Sequence, residues 1–459
     1  MLYEKHLNVI DEKAEIFCEV SDGIWDNPEI SFEEYYACDI MTKKLEENGF
    51  KVTYNLSGMP TAFAATYGVG KPSLGILAEY DGLEGLSQEG SVAEKKPIEG
   101  KDKCHGCGHN LFAGGSLAAA FAVKDYIEKT GKGSITLFGC PAEEGGAGKV
   151  FMARDGIFND IDAIVSWHPE QMYMVRTRPA LANVKVDYTF EGTAAHAGAN
   201  PHQGRSALDA LELMNVGVNF LREHMELTSR IHYAIIDAGG SAPNMVQSHA
   251  VVRYLIRAVD APAVRALQKR VDKIAQGAAL MTETEVSWKV SSGYSNLITI
   301  PTLQAVANEA MHDIPLPVPT EEELEYGRAL QTTINLTAEQ KAKPVFADKV
   351  LDPAPPVAHG GSTDTADVSW NCPTVQMHIG NWVVGTPGHS WQSTSQSRGS
   401  YAKKAMLYAG KAVAGTLIRL FENPELIEKS KAEHKEKIGD GYVCNIPAEI
   451  GPAIKPRKS

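Results

Sequence analysis

Three stretches of consecutive apolar residues stand out: Ser73 to Ala78, Ser134 to Gly139 and Ala163 to Trp167. Each is too short for a helix and reads as a strand buried on both faces. Between the first two, Leu111 to Ile127 is rich in Ala and apolar residues and predicts a buried helix. Such alternation predicts an α/β sheet with helices on both faces. From about Asn183 the rhythm changes. Val184 to Phe190 alternates like a half-buried strand, and Ser206 to His224 has helical periodicity. Ile231 to Asp237 and Ala250 to Ala258 follow as strands, Pro262 to Met281 as a helix and Glu285 to Ser291 as a strand. The order β-α-β-β-α-β is that of a ferredoxin-like unit. The chain therefore divides into residues 1–182, an insert at 183–299, and 300–459. Gly82 to Lys103, the Pro-rich run Asp352 to Val357 and the tail from Asn445 are read as irregular.

The 459 residues carry 44 Lys and Arg against 57 Asp and Glu, a formal charge of −13. An acidic chain of this kind is repelled by nucleic-acid backbones and by anionic membrane surfaces. No apolar run is long enough to span a bilayer, and Met1 to Phe17 lacks the apolar core of a secretion signal. The seven cysteines are odd in number and sparse, which fits free thiols in a reducing cytoplasm better than a disulfide scaffold.

Candidate chemistry gathers at the strand ends. The first strand runs into Glu79, Tyr80 and Asp81, the second into Cys140, Pro141, Ala142, Glu143 and Glu144, and the third into His168. In open α/β sheets, sites lie outside the carboxyl ends of strands. Cys107 and His109 flank Gly108 and offer a thiolate and an imidazole from one turn. Cys104 and Cys107 alone have the spacing of half a structural zinc site, but no second pair exists, and free thiols in a Gly-rich turn are an equal reading. Adjacent Glu143 and Glu144 repel each other unless cations offset the charge. One can ligate a metal while the other takes a proton from water. His389 lies in the turn Gly385 to Ser390. Cys107, His109, Glu144, His168 and His389 together could hold two divalent ions, which in paired sites sit about 3.5–4 Å apart.

The runs His105 to Asn110, Pro141 to Gly145 and Trp167 to Pro169 resemble the M20 metallopeptidase and amidohydrolase family. They are similar to its Cys-Gly-His branch, and within it to the aminobenzoyl-glutamate hydrolase group. Ala78 to Leu83, Ala195 to Pro201, Gly361 to Trp370 and Thr386 to Trp391 extend the resemblance over nearly the whole chain. It implies a catalytic domain with a mixed sheet flanked by helices, and an inserted lid and dimerisation domain. It further implies that Cys107 bridges two metals, Zn or Mn, with His109, Glu144, His168 and His389 as the other ligands. Glu143 would be the general base and Asp81 an orienting residue behind a ligand. His196 would reach a neighbouring subunit's site to polarise the scissile carbonyl. Asn244 and Arg257 would hold the substrate carboxylate. Glu79 is left outside the metal set, and Asn110 stands where many relatives have Asp. The expected reaction is cleavage of the amide bond of an N-acyl or N-aroyl amino acid such as p-aminobenzoyl-glutamate. Alternatives are a dipeptidase for β-alanyl-type dipeptides and a subunit of a hetero-oligomer. A homodimer is expected, with a related subunit as the other candidate partner.

Overall fold

The computed structural model describes residues 4–177, 179–353 and 362–455. Most of the break expected at Asp352 to Val357, and the tail from residue 456, lie outside the described residues. The larger sheet has eight strands. In spatial order they are Lys51–Tyr54, Phe63–Gly68, Ser134–Cys140, Ser73–Glu79, Ala163–Glu170, Thr374–Gly380, Tyr173–Val175 and Val350–Leu351. Ser73–Glu79 pairs parallel with both Ser134–Cys140 and Ala163–Glu170, and Thr374–Gly380 continues the parallel set. Phe63–Gly68 and Lys51–Tyr54 extend one flank antiparallel, so the sheet is mixed. Every residue of Ser134–Cys140 is buried, which explains its unbroken apolar run: both faces of the strand are covered.

The helix His109–Thr130 packs against Ser400–Glu422. Small residues permit the close approach: a Cβ on Gly410 would stand 2.8 Å from Ala118 Cβ and 3.1 Å from the Gly115 carbonyl. The helix begins two residues before the Leu111 start predicted from sequence, so His109 lies in its first turn. The flanking helices Ala14–Asp26, Tyr35–Glu47, Pro301–Asp313 and Pro424–Ile438 were not marked by the apolar pattern. None of the described helices is long and apolar enough to cross a membrane.

Residues 182–294 build a second sheet, all antiparallel, in the order Arg230–Asp237, His249–Ala258, Ala182–Glu191, Glu285–Tyr294. Numbered along the chain this is 2-3-1-4, the ferredoxin-like arrangement expected from the β-α-β-β-α-β order. Strict alternation of burial along His249–Ala258 puts Val252, Tyr254 and Ile256 inside. They meet Met214 and Val218 from Ala207–Leu221 and Leu267 and Val271 from Ala261–Thr282. Ser206 and Asp260 cap these helices by accepting from the backbone N–H of Asp209 and Ala263. This core is separate from that of the larger sheet.

Candidate metal centre and active site

Strand Ser134–Cys140 leads into Glu144 and strand Ala163–Glu170 carries His168, while Cys107 and His109 stand at the start of helix His109–Thr130 and His389 just before helix Trp391–Gln396. Cys107, His109 and His168 offer donor atoms that all lie within 4.8 Å of one another, and so do Cys107, Glu144 and His389. Cys107 is common to both groups. Its Sγ lies 3.5 Å from His168 Nε2. His168 Nδ1 faces the Pro169 carbonyl at 2.8 Å, which places the proton on Nδ1 and leaves the Nε2 lone pair open. His109 is oriented in the same way: Nδ1 lies 2.9 Å from Asp81 Oδ1 and 3.1 Å from the Asp81 carbonyl.

The turns that carry these groups are held by specific contacts. Gly108 has φ +75°, and a Cβ there would meet the Trp382 ring at 3.0 Å and Pro169 Cβ at 3.1 Å. Ala142 also has positive φ, at 58°. Its strained turn is fastened by its own N–H donating to Glu34 Oε1 at 3.0 Å. The next anchor is Asp81 Oδ2, which accepts from the Glu144 N–H at 2.9 Å. Asp81 thus orients His109 with one oxygen and the Glu143–Glu144 turn with the other.

Burial and the like charges of Glu79 and Asp364 push the Glu143 carboxyl well above the usual range. Glu144 goes the other way. Burial raises it, but the close approach of the His389 imidazole and the charge on His109 outweigh that and bring it to about 2. Burial lowers His168 to about 4, keeping it neutral. The buried atoms His109 Nε2 and Glu144 Oε1 have no hydrogen-bond partner among the described residues, although Glu79 Oε2 and His389 Nε2 stand 3.1 Å from them. Unsatisfied donor atoms around one thiol, with sulfur, nitrogen and carboxylate ligands, fit borderline divalent cations.

The cavity here has a volume of about 480 Å³ and is lined by Cys107, Glu143, Glu144, His168 and His389, among others. The remaining sequence candidates are placed differently. His196 is exposed on the insert, its Nδ1 accepting from the N–H groups of Gly198 and Ala199, and is absent from the cavity lining. Asn244 is exposed beside it, its carbonyl accepting from the Ala197 N–H. Arg257 reaches the cavity indirectly, donating to Ser362 Oγ at 2.7 Å. Asn110 serves the scaffold, donating to Ser21 Oγ and the Ser397 carbonyl.

Sequence reasoning missed a buried cluster behind the candidate ligands. Lys149 Nζ lies 2.8 Å from Glu79 Oε1 and 2.5 Å from Asp364 Oδ1, all three wholly inside. Glu79, set aside from the metal ligands, also falls within 4.8 Å of donor atoms on His109 and Glu143. A lysine in the otherwise small or apolar run Gly145 to Met152 was the available signal.

Residues 76–419 match the family model for Peptidase family M20/M25/M40. The chain belongs to this family. It is 40% identical to one of the subunits of the p-aminobenzoyl-glutamate hydrolase of Escherichia coli, over 97% of this chain and 98% of that protein. It is 28% identical to the Xaa-Arg dipeptidase of Mus musculus, over 96% of this chain and 93% of that one. Among solved structures, the aminobenzoyl-glutamate utilization protein from Klebsiella pneumoniae shares the fold with a TM-score of 0.60 at 17% identity, covering 88% of this chain and 98% of that one.

Proposed function

We propose that this M20 chain is a two-metal amidohydrolase that cleaves the amide bond of an N-acyl or N-aroyl amino acid, with p-aminobenzoyl-glutamate as its substrate. The observation that carries the reading is the pair of ligand groups sharing Cys107. The relative of 40% identity, alignable from end to end, supplies the substrate. Cys107, His109 and His168 would hold one ion, and Cys107, Glu144 and His389 the other, as Zn or Mn. Divalent ions there supply Lewis acidity and make water more acidic. Glu143 takes the proton of the attacking water and returns it to the leaving amine. Glu143 lines the cavity beside the ligand groups, where a carboxylate that carries a proton between the two steps is needed. Asp81 keeps His109 and Glu144 in register.

His196 donates to the carbonyl oxygen as it becomes negative. Because His196 lies outside the cavity of its own chain, that role requires closure of the insert or a second copy. We therefore propose residues 183–299 as a lid and dimerisation domain between catalytic segments 1–182 and 300–459, and a homodimer as the working unit. Asn244 and Arg257 would grip the substrate carboxylate. The Escherichia coli relative is one subunit of a hydrolase, which supports a heteromer as the second reading, and the dipeptidase relative supports a dipeptide substrate. The seven free cysteines suit a cytoplasmic setting.

Glu143→Gln tests the mechanism: metal content by elemental analysis stays as in wild type, while turnover falls by about 10²–10⁴-fold. Full activity would sink the role of Glu143. A panel of p-aminobenzoyl-glutamate, N-acyl amino acids and β-alanyl dipeptides, run on the purified chain reloaded with Zn or Mn, separates the readings.

A further inference from the structure

The cavity holds a cation that the reaction above does not use. Arg176 follows the short strand Tyr173–Val175 and lines the same cavity as Glu143 and His168. Its backbone N–H donates to the Gln376 carbonyl at 2.9 Å, and its Nη1 donates to Gln376 Oε1 at 2.7 Å. These contacts fix the side chain on a neutral partner. A guanidinium has five N–H donors, and among the described residues no carboxylate lies within 4.0 Å of this one. Cations withdrawn from bulk water are ordinarily paired. Glu143 and Glu170 line the same cavity and favour the charge on Arg176 from farther off, so an arginine held at one nitrogen by an amide on the cavity wall keeps donor capacity for an anion that arrives from outside.

A second cation reaches the same space from the insert, where Arg257 donates to Ser362 Oγ and Ser362 lines the cavity. One cationic side chain on the cavity wall and a second behind Ser362 match two carboxylates on one ligand. We propose that Arg176 determines specificity by receiving the side-chain carboxylate of a dicarboxylic leaving amino acid, while the Arg257 side takes its α-carboxylate. This rests on the amidohydrolase reading and narrows it to acidic amino acids. A cationic side chain at this place would be repelled by Arg176.

The test compares wild type, Arg176→Gln and Arg176→Lys on p-aminobenzoyl-glutamate, p-aminobenzoyl-glutamine and p-aminobenzoyl-alanine. A second arm measures by calorimetry the binding of N-(4-aminobenzyl)glutamate, which has no carbonyl to cleave. In Arg176→Gln, KM for the glutamate substrate and Kd for its amine analogue rise by about 10- to 100-fold, the size of a lost charged hydrogen-bond pair. Its kcat stays within about threefold, the glutamine and alanine substrates are unaffected, and Arg176→Lys recovers part of the glutamate preference. Equal losses on all three substrates, or none on glutamate, overturn the subsite and leave the hydrolytic reading standing. If wild type cleaves none of the three, the hydrolytic reading fails, and the calorimetric arm still decides the subsite: unchanged Kd in Arg176→Gln overturns it.

Discussion

Replacing Lys149 by methionine, similar in length but uncharged, probes the acid cluster behind the candidate ligands. In wild type its Nζ sits 2.8 Å from Glu79 and 2.5 Å from Asp364, and neither acid is more than 1% exposed. Burial pushes Glu79 up, yet the charges on Lys149 and His109 bring it below the usual range. Asp364 rises to about 6 because burial outweighs Lys149. Without the ammonium, two buried carboxylates face each other and Glu143 with no counter-charge. Removing one partner of a buried pair costs about 3–5 kcal/mol. An independent bound agrees: protonating one carboxyl of ordinary pKa about 4 at pH 7 costs roughly 4 kcal/mol. At about 2 °C per kcal/mol for a large unit, the Tm should fall by roughly 6–10 °C at pH 8. The sign with pH follows from the raised pKa values. In the variant both acids titrate above their unfolded values, so their protonated, folded form is favoured at low pH and stability is lost as pH rises through the folded pKa. The deficit relative to wild type should shrink by half or more at pH 5. The assay is thermal unfolding by circular dichroism at both pH values, with chelator present so that metal loss does not contribute. A fall under about 2 °C at pH 8, or a larger deficit at pH 5, would refute the reasoning.

Asp81→Asn leaves the size of the side chain but weakens the acceptor that orients His109 and the Glu144 N–H; metal affinity by competition titration should drop about 10- to 100-fold. Cys107→Ala removes the atom common to both ligand groups, so elemental analysis should show loss of both ions rather than one. His196→Ala should retain its metals and lose about 10²–10³-fold in kcat. Mixing it with Glu143→Gln should restore measurable activity if His196 serves the other chain of a dimer, and unmixed levels throughout would count against service in trans.

What the sequence revealed about this protein is what consecutive residues encode. Alternation along Val184 to Phe190 and Ala250 to Ala258 marked strands with one covered face, because side chains of a strand point alternately to its two sides. Unbroken apolar runs marked strands covered on both faces. Gly108 between Cys107 and His109 marked a tight turn, and the Glu143–Glu144 pair marked a charge in need of a cation. These are local consequences of backbone sterics and burial. Which strand ends converge is not local. The spatial order sets Ser73–Glu79 between Ser134–Cys140 and Ala163–Glu170, and that places Asp81 where it grips both His109 and Glu144. It also sets Lys149 between acids 70 residues before it and 215 residues after it, and turns Arg176 toward the cavity through Gln376. No periodicity records such meetings, since each depends on two segments that know nothing of one another until the sheet pairs. Residue types and turns were written in the chain; their charges, partners and tautomers were decided by what the fold buried beside them.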